Sequence, residues 1–221
     1  MEFILTKGYK MNEKIIQDLE KFANMPNLKN AITFFGSARL KEDNEYCILA
    51  SKLAQKLADE GYSIISGGGG GIMQAANHGA MQSQTSHLKS FGFNIHLPFE
   101  QKANDFLEYN ITFKSLAIRK MALIQKSLAF VIFPGGFGTL DEFFEILTLK
   151  QLSFKKDVPI ILVGQKFWQP LDEFIKTSLL ELGTISKNDE LKYSISDDLD
   201  EIIRMIKEKD ENSCCNEWGC R

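Results

Sequence analysis

Short apolar runs alternate with helix-like segments along most of the chain. Four runs have the length and composition of buried strands, and they occupy 31–36, 62–66, 129–133 and 158–164, while 91–97 shows the period-2 alternation of a strand. Segments with apolar residues at helical spacing lie at 12–24, 44–60, 72–82, 115–128, 140–152, 170–182 and 197–209. Continuous apolar strands that alternate with helices predict a mostly parallel sheet covered on both faces.

The predicted fold class is therefore α/β: a three-layer, doubly wound, mostly parallel, Rossmann-like sheet in a single domain. Residues 31–209 contain no repeat and no low-complexity linker, so we assign them to this domain. Residues 1–30 are expected to form an N-terminal helical extension. Residues 210–221 are expected to form a flexible tail that contains three of the four cysteines.

Composition narrows the classes of function. The chain has 221 residues, of which 44% are hydrophobic and 25% are charged, and its net charge is -3. A net charge this small gives no strong electrostatic attraction for a polyanion, and we therefore expect neither nucleic acid nor a membrane as a partner. No apolar run approaches the ~18 residues of a membrane span, and the start lacks a signal-peptide pattern. The scarcity of cysteine before the tail indicates a reducing, cytoplasmic setting.

Three predicted strands end in small residues that lead into a helix. Gly36 and Ser37 follow the first strand, five glycines at 67–71 follow the second, and PGGFGTLDE (134–142) follows the strand at 129–133. In a parallel sheet, ligands bind beyond the carboxyl ends of the strands, and a helix N-terminus offers unpaired N–H groups to an anion. The pattern predicts a site for a phosphate-bearing ligand, such as a nucleotide.

Common nucleotide and metal motifs do not account for these features. Neither G-x-G-x-x-G nor G-x-x-x-x-G-K-[ST] fits the run at 67–71, because both require a glycine where Ile72 stands. The three histidines lack the spacing of metal ligands. Cys214, Cys215 and Cys220 fall one short of the four ligands of a structural zinc site, so no metal site is predicted.

Each of these features also has a purely structural interpretation. Thr139 and Glu142 fit the T-x-x-E pattern of a capping box, in which Asp141 would only complement the helix dipole. A capping box leaves the preceding glycines unexplained, which favours the anion site. Arg119 lies on a partly apolar helix face, where it either covers the surface with its stem or points into a pocket. The run at 67–71 is a tight turn or a flexible loop, and its place between strand and helix favours the turn.

PGGFGTLDE resembles the P-G-G-x-G-T-x-x-E signature of the LOG family, the cytokinin-activating nucleoside 5′-monophosphate phosphoribohydrolases that were long labelled lysine decarboxylases. Two segments, FFGSAR (34–39) and SGGGGGIMQAANHGA (66–80), agree with the family's first two strand ends. The pair Arg119-Lys120 stands fifteen residues before Pro134, as in the family. LPFEQ (97–101) is closest to the longer bacterial branch, and the resemblance covers 31–165.

The resemblance implies that the protein cleaves the N-glycosidic bond of AMP or an N6-modified AMP, releasing the base and ribose 5-phosphate without a cofactor. It makes Arg119 and Glu142 the catalytic pair, with Glu142 stabilising the oxocarbenium ion. It also implies at least a homodimer. The residues expected to contact or surround the substrate are Gly36, Ser37, Gly68, Gly69, Gly70, Glu100, Lys120, Gly135, Gly136, Phe137, Gly138, Thr139 and Asp141.

Two departures from the family pattern leave the preferred base open. Phe137 stands where tyrosine is frequent, and Asp141-Glu142 stands where Glu-Glu is common. Lysine decarboxylation is rejected, because no sequence context marks a lysine for pyridoxal phosphate. Two alternatives remain. One is a nucleotide sensor or molybdenum-cofactor carrier, which needs the phosphate site but not Glu142. The other is a scaffold in which Thr139 and Glu142 only cap a helix.

Overall fold

Seven strands form one parallel sheet in the computed structural model. The backbone is described for 2–26, 28, 30–97, 102–155 and 158–217, and side chains for the same ranges between 13 and 210. The spatial order of the strands is β4-β3-β2-β1-β5-β6-β7, and every paired neighbour is parallel. The strands are β1 (Ala31–Phe35), β2 (Ser63–Ser66), β3 (Ser90–Ile95), β4 (Tyr109–Phe113), β5 (Ser127–Ile132), β6 (Ile160–Leu162) and β7 (Ser194–Ile195).

Among the described residues, one helix precedes the first strand, helices connect every pair of consecutive strands except β3 and β4, and one helix follows the last strand. They are α1 (Glu2–Ala23), α2 (Glu45–Asp59), α3 (Ile72–Gln82), α4 (Leu116–Gln125), α5 (Phe137–Gln151), α6 (Gln165–Phe174) and α7 (Leu199–Glu217). A π-helical turn (Ile175–Leu179) continues α6. Within the described ranges, none of the helices combines the length and apolar content that crossing a membrane requires.

Each face of the sheet has its own apolar core. Ile32 and Phe34 of β1 pack with residues of α2, α3 and α7, whereas Ala31 and Phe35 pack with residues of α4, α5 and α6. Successive side chains of a strand point to opposite faces, so most positions are apolar when both faces are covered. This arrangement explains why β1 is apolar except at the buried Thr33, and it confirms the predicted three-layer α/β fold.

The order of the strands changes direction between β1 and β5. Strands β2, β3 and β4 extend the sheet on one side of this pair, and β6 and β7 extend it on the other. A crevice opens at the carboxyl ends of two strands whose connections diverge in this way. Ser37 N donates a hydrogen bond to Pro134 O at 3.0 Å and joins the two strand ends. The first and third glycine-containing turns therefore meet at this crevice.

The N-terminal helix α1 is tied to α4. The completely buried carboxylate of Asp18 accepts hydrogen bonds from Lys114 N and Ser115 N, both at 2.6 Å, at the start of α4. Lys21 Nζ, also on α1, donates to Thr112 O at 2.6 Å. The carboxylate of α1 thus provides a buried partner for two backbone N–H groups immediately before the first residue of α4.

Some elements differ from the sequence-based prediction. Helix α1 begins at Glu2 rather than near residue 12, and α7 continues beyond 209 to Glu217. Residues 210–217 contain no glycine or proline, so their backbone does not end the helix. Strands β4 and β7 were not predicted. β4 lies at the edge of the sheet and alternates between half-buried and exposed residues before the buried Phe113, and β7 has only two residues, so neither shows an apolar run.

Candidate active site

A cleft of about 740 Å³ lies at the carboxyl ends of β1, β2, β3 and β5. Its volume is in the range of sites for small organic ligands. The lining residues are Gly36, Ser37, Ala38, Arg39, Gly67, Met73, Asn94, Ile95, Arg119, Gly135, Gly136, Phe137, Gly138, Thr139, Leu140 and Glu142.

Arg119 of α4 and Glu142 of α5 form an ion pair in this cleft. Arg119 Nη1 lies 2.9 Å from Glu142 Oε1, and the two side chains are 12% and 13% exposed. Arg119 Nε also donates to Phe93 O of β3 at 2.9 Å. A Cβ at Gly67 would collide with Arg119 Nη2, so a glycine at this position leaves the guanidinium room for the orientation it adopts. Groups from β3, α5 and the turn after β2 thus determine the orientation of Arg119.

The environment of Glu142 brings its ionisation close to neutral pH. Burial raises the pKa of Glu142 to about 7, and this effect outweighs the lowering effect of the neighbouring Arg119. Asp141 raises the same pKa further, whereas Lys120 lowers it. A carboxyl group with a pKa near the working pH can act as an acid or a base, and such groups are frequent in active sites.

Helix α5 begins without a side-chain cap. Gly136 is its N-cap residue, and Thr139 is already the third residue of the helix. The capping box predicted as the structural alternative is therefore wrong, because the helix starts earlier than that pattern requires. The carboxylate of Glu142 bonds to Arg119 instead. The N–H groups of the first turn have no partners within the helix, and the residues that carry them line the cleft.

The three glycines at the start of α5 differ in whether a side chain would fit in their place. A Cβ at Gly135 would collide with the side chain of Thr139, which is 5% exposed. A Cβ at Gly136 or Gly138 would meet no other atom within 4 Å. Gly135 is thus needed for packing, whereas Gly136 and Gly138 leave open space at the N-terminus of α5. Phe137 stands between them and is 92% exposed.

Lys120 and Asp141 do not belong to the lining of the cleft, which differs from the prediction that both contact the substrate. Lys120 Nζ lies 2.8 Å from Asp141 Oδ2 and 2.7 Å from Glu145 Oε2. Burial lowers the pKa of Lys120, but these contacts raise it above the ordinary value of lysine. Consecutive residues of a helix point in different directions, so only Arg119 of this basic pair reaches the cleft.

The second glycine turn, residues 67–71, lines the cleft only through its first residue. Gly67 lines the cleft, whereas the predicted contacts Gly68, Gly69 and Gly70 do not. Asn104 N donates to Gly68 O at 2.9 Å, and Asn104 Nδ2 donates to Gly69 O at 3.0 Å. These bonds hold the run as a tight turn, as favoured above, and leave Gly67 against Arg119.

Six side chains of the lining were not singled out from the sequence: Ala38, Arg39, Met73, Asn94, Ile95 and Leu140. Arg39 is exposed, and its N–H donates to Ser37 Oγ at 3.1 Å. Asn94 is 7% exposed and is a polar residue within an apolar strand, which was the available signal. Arg39 carried no comparable signal, because exposed arginines are common on any surface.

Some predictions fall on residues outside the described ranges. Glu100, expected to contact the substrate, and Cys220 are among them, as are the side chains of Cys214 and Cys215.

Sequence comparison relates the chain to nucleotide-cleaving enzymes. The family model described as "Possible lysine decarboxylase" matches residues 73–206, which is more than half of the chain. A cytokinin riboside 5′-monophosphate phosphoribohydrolase of Oryza sativa subsp. japonica is 28% identical over 149 residues, covering 67% of this chain and 60% of the rice protein. A pyrimidine/purine nucleotide 5′-monophosphate nucleosidase of Escherichia coli is 27% identical over 190 residues, covering 80% of this chain and 40% of that protein. The chain thus spans less than two thirds of the length of either relative.

Solved structures share the fold at lower identity. The molybdenum cofactor binding protein of Rippkaea orientalis has a TM-score of 0.59 and 20% identity, covering 81% of this chain and 96% of its own. The molybdenum cofactor carrier protein of Chlamydomonas reinhardtii has a TM-score of 0.56 and 20% identity, covering 82% and 98%. The extent of the family match and the names of the relatives agree with the PGGFGTLDE signature: the chain belongs to the LOG family, whose family model carries the lysine decarboxylase description.

Proposed function

We propose that the protein hydrolyses the N-glycosidic bond of a nucleoside 5′-monophosphate, AMP or an N6-modified AMP, to the free base and ribose 5-phosphate. The observation that carries this proposal is the ion pair of Arg119 and Glu142, 2.9 Å apart, in the same cleft as the uncapped N-terminus of α5. The N-terminus of α5 suits an anionic phosphate, and the carboxylate of Glu142 suits a developing cation. The relatives named phosphoribohydrolase and nucleosidase support the same class of reaction.

The 5′-phosphate would bind at the start of α5. The N–H groups of Phe137, Gly138 and Thr139 lack helical partners, and the positive end of the helix dipole favours an anion. Arg39 also lines the cleft and forms no ion pair with any residue that the structure describes, so its charge is available to the phosphate. Binding of the phosphate would provide the remote binding energy that orients the scissile bond.

Glu142 would act on the ribose. It is the sixth residue of α5, so it lies beyond the phosphate site along the same helix. Cleavage transfers the bonding electron pair to the departing base and leaves positive charge on the ribose ring, which an adjacent carboxylate stabilises. Water then adds its hydroxyl group to the anomeric carbon, and its proton balances the charge on the base. Arg119 would hold the carboxylate in position and favour its ionised form.

Lysine decarboxylation is not proposed, in spite of the family description. That reaction through pyridoxal phosphate requires a lysine that forms a Schiff base within the site. No lysine occurs among the described residues that line the cleft. Lys120, the neighbour of Arg119, is bound to Asp141 and Glu145 instead.

The direct test is a chromatographic assay of base release from a panel of nucleoside 5′-monophosphates. Base and ribose 5-phosphate are expected in equal amounts from AMP or an N6-alkylated AMP. Glu142→Gln and Arg119→Ala are each expected to reduce kcat by about 100-fold or more, while the circular dichroism spectrum is retained. Glu173→Gln, which changes an exposed carboxylate of α6, is the matched control. Normal turnover by both cleft variants would refute the proposal.

The same panel distinguishes the alternative of a non-catalytic nucleotide or molybdenum cofactor carrier. A carrier would bind AMP or the cofactor tightly, would release no base from any monophosphate, and would not depend on Glu142. The fold similarity to molybdenum cofactor proteins is compatible with that outcome. Binding measured by calorimetry for the wild type and for Glu142→Gln would therefore separate the two functions.

A further inference from the structure

Asn94 is a buried polar residue of β3 that lines the cleft. It is 7% exposed, and its Nδ2 donates to Asn110 Oδ1 of the neighbouring strand β4 at 2.7 Å. Its Oδ1 has no hydrogen-bond partner among the residues that the structure describes. This oxygen retains accessible surface although the residue as a whole is buried, so a donor from a ligand bound in the cleft can reach it and satisfy it.

Neighbouring residues hold the nitrogen end of the Asn94 side-chain amide in place. Gly68 has φ 73°, and a Cβ there would collide with Asn94 Nδ2. The nitrogen is therefore enclosed between Gly68 and Asn110, and Oδ1 is the end of the amide that remains available to the cleft. This arrangement gives Gly68 a role, although it does not itself line the cleft: its lack of a side chain makes room for Asn94.

The distance between β3 and the start of α5 corresponds to the distance between the base and the phosphate of a nucleotide. Strand β5, which leads into α5, is separated from β3 by β1 and β2, so three inter-strand spacings of about 4.8 Å place β3 about 14 Å away. A nucleotide with its phosphate at the start of α5 and its ribose beside Glu142 would extend its base toward β2 and β3. Two apolar lining residues, Met73 and Ile95, are available there to contact the faces of the base.

We propose that Asn94 determines which bases are accepted, by accepting a hydrogen bond from an exocyclic amino group. The identity of the ligand rests on the proposed function. The amino groups of adenine and cytosine are donors, whereas the oxo groups that replace them in hypoxanthine and uracil are acceptors that oppose the Asn94 oxygen. An N6-alkylated adenine retains one N–H and remains a donor. The substrate class is therefore the amino-bearing monophosphates, AMP and CMP, over IMP and UMP.

The test compares kcat/KM for AMP with IMP and for CMP with UMP, since each pair differs by amino against oxo. The wild type is expected to favour the amino member by about tenfold or more, the effect of one hydrogen bond of about 1.4 kcal/mol. Asn94→Ala is expected to bring the ratio near one. Asn94→Asp retains an acceptor and is expected to preserve the ratio, even if its added charge lowers every rate. A wild-type ratio near one, or equal losses for AMP and IMP in Asn94→Ala, would overturn the proposal.

A further comparison separates the base from the ribose as the source of the donor. If the ribose 2′-hydroxyl donates to Asn94, 2′-deoxy-AMP is a poorer substrate than AMP for the wild type but not for Asn94→Ala. In that case the ratio of kcat/KM for AMP to that for IMP is the same in both proteins. That result would overturn the assignment to the base. The melting temperature of each variant checks its fold, and Asn94→Ser, whose shorter side chain withdraws the acceptor, replaces Asn94→Ala if the latter does not fold.

Dissociation constants of the same four nucleotides distinguish failure of this inference from failure of the proposed function. Tighter binding of AMP than of IMP that depends on Asn94, without base release, would sustain the inference and refute the hydrolase. Base release with no difference between AMP and IMP in either binding or kcat/KM would sustain the hydrolase and refute the inference.

Discussion

At the scale of single residues, Glu142 connects folding, ionisation and chemistry. Its carboxylate is 13% exposed, and its pairing with Arg119 does not fully offset the unfavourable effect of burial on the charged form. The resulting pKa of about 7 means that a small change of pH alters the charge in the cleft. Both activity and stability should therefore depend on pH through this residue.

For activity, kcat/KM is expected to fall as the pH decreases below about 7, because the protonated form of Glu142 cannot stabilise positive charge on the ribose. The measurement is the rate of base release between pH 5 and 9. The substrate phosphate itself ionises near pH 6. AMP binding by Glu142→Gln over the same range isolates that contribution, and a flat rate profile through pH 7 would contradict a catalytic carboxylate.

For stability, the sign follows from the raised pKa. A carboxyl group with a pKa of about 7 in the folded state and about 4.5 in the unfolded state favours folding below pH 4.5, and this contribution is lost as the pH rises through 7. Relative to Glu142→Gln, the wild type should therefore lose roughly 3 kcal/mol between pH 4.5 and 8. Urea unfolding of both proteins at several pH values measures this difference. A difference that does not vary with pH would refute the shifted pKa.

At the scale of elements, the start of α5 combines a packed glycine with two open ones. Gly135→Ala is expected to destabilise the fold by about 1–3 kcal/mol, because the new methyl group collides with Thr139. Gly138→Ala is the matched control: it meets open space and should leave stability within about 1 kcal/mol, but its methyl group stands at the phosphate site. Urea unfolding and AMP binding separate the effects. Equal stability of both variants would contradict the packing role of Gly135.

The contact between α1 and α4 extends the same reasoning to the N-terminal helix. Asp18→Ala should cost about 1–3 kcal/mol, because two N–H groups at the start of α4 lose a buried carboxylate partner. It should also lower activity, since Arg119 lies one turn into α4. Glu20→Ala, at an exposed position of α1, is the control. Unfolding and kinetic measurements that show the two variants to be alike would mean that α1 does not support the cleft.

At the scale of the whole molecule, α5 and α6 expose phenylalanines. Phe144 is 37%, Phe167 42% and Phe174 50% exposed, and exposed apolar side chains that lie together are typical of an interaction site. We expect a homodimer that buries part of this surface, as the family resemblance implies.

Light scattering coupled to size-exclusion chromatography should therefore give twice the mass of the 221-residue chain. A double change, Phe144→Glu with Phe174→Glu, is expected to yield monomers, because charged residues in an apolar contact are unfavourable. Leu88→Glu places the same charge at an exposed leucine outside α5 and α6 and should not alter the mass. A wild type that is monomeric at every concentration would contradict the expectation.

The general architecture of the sheet was predictable, because five of its seven strands are buried and appear either as short apolar runs or, for β3, as apolar residues at every second position. The two remaining strands, β4 and β7, were not predicted. They lie at the edges of the sheet, where burial is incomplete and no apolar run is required. The bounds of α1 and α7 were also missed, since apolar periodicity marks the packed part of a helix and not its full length.

The sequence by itself determined the α/β class and the glycine turns at three strand ends, because periodicity and backbone freedom are properties of local sequence, and its resemblance to the LOG family implied the candidate pair of Arg119 and Glu142. Only the tertiary structure decided which neighbours face the cleft. It separated Arg119 from Lys120 and replaced Gly68 by Gly67 in the lining. It also brought in Asn94 and showed that Glu142 bonds to Arg119 rather than capping its own helix. Side-chain direction and burial depend on contacts between α4, α5 and β3, which lie far apart in the chain, and no local pattern encodes them.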